Sequence, residues 1–264
     1  MTRTQTLLLL GAALVLIAAT AAVKLVFFPP ISDKYFTVSQ TRLKQVPAGF
    51  VVIRPTHFGG SAHREQQNRF VETTSKTGGL RLLGVNVTFQ MLIAAAYNQN
   101  PGRISLPWDA PTNCFDILVT ANGDPQELLK GAIRQKMGYS AQTETKDTPV
   151  LDLKVTNPNP PGLKTSRSDE KQNVEYKNGR LYFTHTRLDE ITSGMEQMLR
   201  TPVVDKTGLT NFYDFSLAWN QRMQQAMQGG NIDPATGKKI LGDWGLGLEP
   251  DTAPMEMLVV ERAK

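Results

Sequence analysis

Cysteine is nearly absent: Cys114 stands alone in 264 residues, so no intramolecular disulfide can form and the fold must rest on its own core. Histidine is scarce as well. His57 and His63 flank a Phe-Gly-Gly-Ser-Ala loop at a spacing that could offer two imidazoles to Zn²⁺, but no cysteine or acidic third ligand is grouped with them. His185 lies far along the chain, so the three read as surface or capping residues, and no metal or other cofactor is assigned. A Gly-rich phosphate loop is missing, and "GGSAH" lacks the strand, Gly-x-Ser-x-Gly elbow and helix that expose a nucleophilic serine. A concentrated basic face is missing too. The net charge is +5, and residues 32–85 hold eight cations against three acids, but singly, among polar residues. That excludes a nucleic-acid partner. It leaves either a mildly basic segment suited to an anionic lipid surface or wall polymer, or an ordinary solvated surface.

Apolar residues are concentrated at the N-terminus. After Arg3, an uncharged run of 17 residues from Leu7 to Val23 precedes Lys24, and Leu25–Phe28 extends it. A leading cation followed by a run apolar on every face is an export signal. Ala19-Thr20-Ala21 offers the small residues of a cleavage site, while Leu7 to Phe28 approaches the ~20 residues that span a bilayer. The favoured reading is an uncleaved single-pass anchor, with Arg3 in the cytoplasm and the rest outside. The alternative is a secreted or periplasmic chain released by cleavage.

The segment "TPVVDKTGLTNF" places Asp205 in an Asp-Lys-Thr-Gly context like that of an aspartate that accepts a phosphoryl group. Such chemistry needs Mg²⁺, further carboxylates and a nucleotide. None of their motifs is present. Asp205 is therefore expected to accept hydrogen bonds within a turn, with Gly208 supplying a positive φ.

The chain also repeats itself. "TNCFDILV" at Thr112–Val119 returns as "TNFYDFSL" at Thr210–Leu217, pairing Asn113 with Asn211 and Asp116 with Asp214. Upstream, Phe89 and Leu92 align with Leu188 and Ile191. Downstream, Pro149 and Leu153 align with Pro254 and Leu258. Each copy reads as strand, helix, strand, helix and closing hairpin. Thr88 or Thr186 caps the first helix, whose apolar residues are Phe89, Leu92, Ile93 and Ala96 in one copy and Leu188, Ile191, Met195 and Met198 in the other. Tyr213, Phe215, Leu217 and Trp219 alternate with Asp214, Ser216 and Ala218 in a half-buried strand. Asp124 and Pro125 open a second helix in copy one. In copy two Gly229-Gly230 and Pro234 leave room for a short one at most.

The expected fold is α+β: a membrane segment (1–31), a basic membrane-proximal segment with an initial strand (32–79), a first repeat (80–156), a polar Pro-rich connection (157–179) and a second repeat (180–264). The repeats are expected to lie side by side with a groove between them.

Several of these stretches, "NVTFQMLIAAAY", "FDILVTA", "PVVDKTGLTNFYDFSLAW" and "LGLEPDTAPMEMLVVERAK" among them, resemble an exported family of unknown function abundant in soil bacteria. The resemblance runs from about Phe50 to Lys264. It implies an envelope location and a sensory role, because related domains follow membrane metallopeptidases of the beta-lactam-sensor type. It supplies no catalytic residues. The expected function is a non-enzymatic binding or sensing module for an envelope protein, peptide or wall component, with Asp116, Asp214, Asn113 and Asn211 as candidate ligand-binding residues. The alternative is an envelope hydrolase using the paired carboxylates or a His-bound metal. An outward position of both aspartates on their strands is the simpler reading of those two residues.

Overall fold

The computed structural model describes residues 32–59, 69–75, 79–120, 122–158, 162–167, 169–220, 223 and 232–264. The export segment Leu7–Phe28, His63 and Gly229-Gly230 lie outside them. Among the described residues no helix is long and apolar enough to cross a membrane.

The fold is α+β, with three four-stranded sheets among the described residues. The first has the order β1-β5-β3-β2, from β1 Val51–Pro55, β2 Arg69–Thr74, β3 Leu80–Val87 and β5 Phe115–Val119. The third has the order β7-β11-β9-β8, from β7 Leu163–Thr165, β8 Asn173–Lys177, β9 Arg180–Thr186 and β11 Tyr213–Ala218. Between them, β10-β6-β12-β4 joins the chain's two halves through β4 Ile104–Ser105, β6 Tyr139–Val155, β10 Val203–Asp205 and β12 Leu246–Arg262.

The stretches expected to fold back as closing hairpins do not do so. Each is one 17-residue strand, and the two pair antiparallel along their whole length, from Tyr139 opposite Arg262 to Val155 opposite Leu246. Pro149 and Pro254 suggested a break, but both lie outside the short stretches that β10 and β4 flank. A proline is tolerated on such an open edge, where its missing N–H removes no ladder bond. The short strands cross over: β4 pairs parallel with β12 and β10 parallel with β6, so each half adds a strand to the other's long strand.

Helices α2 Phe89–Tyr97 and α3 Pro125–Met137 cover the inner face of the first sheet. Their buried residues, Phe89, Leu92, Ile93 and Ala96 in α2 and Leu129, Ala132 and Ile133 in α3, fall at helical spacing. Thr88 caps α2 by accepting from the Met91 amide, and Asp124 caps α3 by accepting from that of Gln126. In the second half, α4 Leu188–Leu199 has no such cap. Thr186 ends β9 and Arg187 takes the cap position without a side-chain capping bond, because the chain leaves the strand one residue later than the periodicity implied. A shorter α5, Pro234–Asp243, is capped by Asp233.

Residues 32–79 are more than a polar approach to the membrane. They supply β1, β2 and α1 Gln40–Leu43, and Phe36, Leu43, Val46 and Phe58 bury the outer face of the first sheet against Val52, Leu83, Val85 and Leu118. All five residues of β5 are therefore buried, whereas β11, with one face covered, alternates. The connection 157–179 likewise contributes β7 and β8.

Candidate functional site

Three cavities open around Trp244; two are lined by residues of the second half and its connection, and the third also by Val155 at the end of β6. The one with the most apolar wall, about 200 Å³, lies between α4 and the inner face of the third sheet. Alternation in the strands sends Leu181, Phe183, Phe215 and Leu217 to that face, and Ile191, Met195 and Met198 come from α4. Trp219 and Trp244 also line it, and the Phe215 and Trp244 rings meet at 4.7 Å, tilted by 58°. Among the described residues Glu190 is the only ionisable side chain in the wall; it is exposed and takes a 2.7 Å bond from the Gln172 amide. Gly194 of α4 also lines the cavity, and a Cβ placed there meets nothing within 4 Å.

The apolar cavity does not lie in the expected groove between the halves. Along that seam Arg103 and Glu196 make a bidentate pair at 2.7 and 3.0 Å, with Glu196 2 % exposed and also accepting from the Val203 amide at 3.0 Å. The hydrogen bonds to Glu196 hold the Arg103 guanidinium above its ordinary pKa, against the opposing effect of burial.

The repeated aspartates occupy matching positions in separate sheets. On β5, Asp116 is fully buried rather than outward-facing. It takes hydrogen bonds from Arg54 (3.2 and 3.3 Å), Thr56 Oγ1 (2.7 Å) and the amides of His57 and Asn86 (both 3.1 Å). On β11, Asp214 accepts from Ser166 Oγ and from the His185 amide at 2.9 Å. Asn86 and His185 share a left-handed backbone, with φ of 54° and 53°, at the places where each sheet's register shifts. A bulge of this kind turns an amide out of the ladder, and the carboxylate of the neighbouring strand satisfies it. Both aspartates therefore clamp bulges. Asn113 and Asn211 are exposed at the approaches to β5 and β11, and Asn211 lines a separate cavity of about 340 Å³ with Leu163, Tyr213 and Trp244.

Arg54 lies over the Phe36 ring at 4.0 Å and reaches a second carboxylate, Asp33, at 2.6 Å; Asp33 also meets His57 Nδ1 at 3.0 Å. Partial burial pushes the Asp33 carboxyl upward, but the bonds from Arg54 and His57 outweigh it and leave the pKa below its usual value. The His185 ring stacks on Phe212, centroids 4.0 Å apart, and among the described residues its Nδ1 has no hydrogen-bond partner. Among the described residues, no three His, Cys, Asp or Glu side chains converge as metal ligands. Asp205 is exposed and accepts from the amide and hydroxyl of Thr207 at 2.8 and 2.7 Å, and Gly208 follows at φ +70°. This arrangement is an aspartate-bonded turn after β10.

Residues 90–263 match the model of a family described as protein of unknown function (DUF3738). The chain belongs to that family. No curated protein and no solved structure matches it. The DUF3738 match begins inside α2, leaving β1, β2 and β3 outside, although β5 within it pairs on both sides with two of those strands. The cavity and the Arg103–Glu196 pair lie wholly inside the match. Neither was evident in the sequence: the methionines of α4 read as ordinary core, and the one available signal was Gly194, a glycine in the middle of an otherwise amphipathic helix.

Proposed function

We propose that this DUF3738 protein is a non-catalytic binding module, tethered outside the cell membrane by its N-terminal segment, that takes an apolar group of an envelope component into the cavity between α4 and the third sheet. The supporting observation is the cavity itself: about 200 Å³, walled by aliphatic, methionine and aromatic side chains, with one carboxylate at its mouth. Preformed apolar sites with a few placed polar groups are where small ligands and side chains bind. Methionine lining suits such a role, because its unbranched side chain adapts to differently shaped guests. A sensory role, as the resemblance to domains behind beta-lactam-sensor-type metallopeptidases implies, would use the same site. We also read the chain as a tandem duplication. The matching sheet orders, the paired bulges clamped by Asp116 and Asp214, and the two equal long strands support that reading. The cavity lies in the second copy, between α4 and the third sheet.

The binding test uses Gly194→Leu. A leucine there projects into open space and removes a helix-interior glycine, which by itself favours the helix by up to about 1 kcal/mol. The variant should melt no lower than wild type and should lose the fluorescence enhancement that wild type gives with N-phenyl-1-naphthylamine. Undiminished enhancement would remove the cavity from the proposal. The location is tested by a reporter fused after Lys264: alkaline phosphatase should be active and a cytoplasm-dependent reporter silent, and the reverse pattern would sink the exported reading.

A further inference from the structure

The geometry points to an extended peptide as the ligand, bound as a fifth strand on β8 with an apolar side chain in the cavity. This rests on the cavity reading above and specifies its ligand. β8 is the edge of the third sheet, and all five of its residues are exposed. Asn178-Gly179, with φ of 51° and 74°, joins it to β9. In such a two-residue hairpin the flanking pair, Lys177 and Arg180, is hydrogen-bonded. Backbone groups of Asn173, Glu175 and Lys177 then face β9, and those of Val174 and Tyr176 face outward. The Val174 and Tyr176 side chains share the cavity's face of the sheet, opposite Phe183 and Leu181, and are 53 % and 61 % exposed. Val174 is itself part of the cavity wall. A free row of backbone donors and acceptors thus runs beside an apolar pocket, as peptide capture by strand addition requires: main-chain bonds give affinity and the pocket selects alternate side chains.

The first sheet shows how such an edge is otherwise covered. On β2, Gln40 of α1 donates to the Glu72 carbonyl at 3.3 Å and Arg69 donates to the Val38 carbonyl, so residues 38–43 lie against that edge. Among the described residues β8 has no such cover, all five of its residues being exposed, and exposed edges invite a pairing strand. Charge defines the occupant further. Glu190 is the ionisable group of the wall and lies at the mouth, so the favoured peptide carries a large apolar residue with Lys or Arg two positions away on the same face.

The experiment measures fluorescence anisotropy of the full chain with a panel of labelled seven-residue peptides of alternating pattern, with Leu, Met, Phe or Trp as the anchor and Lys two positions on. Each is compared with a twin N-methylated at the bonding amides. Peptides should bind at least tenfold tighter than their twins. Tyr176→Pro removes only an outward-facing N–H, which an edge strand tolerates. It should lose peptide binding at least tenfold relative to Tyr176→Ala, while both keep N-phenyl-1-naphthylamine binding. Equal binding by peptides and twins, or by the Pro and Ala variants, would overturn strand addition. Retained naphthylamine binding in that case would leave the cavity reading standing, and its loss in wild type would mean that the cavity reading itself had failed. A dimer by sedimentation that Tyr176→Pro makes monomeric would assign the edge to a second copy and also overturn the proposal.

Discussion

Asp116→Ala should destabilise the protein by about 3–5 kcal/mol, the range for removing one partner of a buried ion pair. The wild-type carboxylate is fully buried and serves a guanidinium, a hydroxyl and two backbone amides. Alanine leaves the Arg54 guanidinium, only 6 % exposed, with its exposed partner Asp33, and strips the acceptor from the Asn86 amide at the bulge. Asp214→Ala should cost less, about 1–2 kcal/mol, because a neutral hydroxyl and one amide lose their acceptor and no buried cation is left unpaired. Urea denaturation of the two variants gives the order directly. Small and equal losses would show that the carboxylates are not bulge clamps and would return them to the list of ligand-binding candidates.

The contrast shows what was legible in the sequence. Recurrence of Asp116 and Asp214 in matching contexts was visible, as were α2, α3 and β11, because local periodicity and capping specify those elements. What the aspartates do was not visible. Their partners, Arg54 and Thr56 in one sheet and Ser166 in the other, lie 48 to 62 residues away in sequence. The same distance in sequence hid the pairing of β6 with β12: each carries polar and proline residues in its middle, which locally signals a turn, and only the opposite strand makes it a continuous ladder. Phe36 and Leu43 are buried for a similar reason. Their short, mostly polar surroundings carry no periodic signal, and their burial comes from the face of a sheet formed by later residues. The cavity is a vacancy left by packing, and no residue pattern encodes a vacancy.

Removing the Glu196 side chain should have a comparable effect at the seam between the halves. Glu196 projects from α4 to Arg103, the last residue of the 3-10 turn Pro101–Arg103, and to the Val203 amide at the start of β10. Gly102 lets the backbones approach: a Cβ there would sit 2.8 Å from the Glu196 carbonyl oxygen. Glu196→Ala should cost about 3 kcal/mol, the lower end of the range for a broken buried pair, because Arg103, 34 % exposed, regains some hydration. Arg103→Ala should cost more, since the carboxylate it abandons is only 3 % exposed. Glu196→Gln should be milder than either, because the amide oxygen still accepts from Val203. A double-mutant cycle isolates the coupling, expected at about 1–3 kcal/mol. In every variant unfolding should remain a single transition, because the full-length β6–β12 ladder, with β4 and β10 exchanged across it, ties the halves together independently of the ion pair. If Glu196→Ala instead splits the transition in two, the ion pair rather than the ladder is what couples the halves.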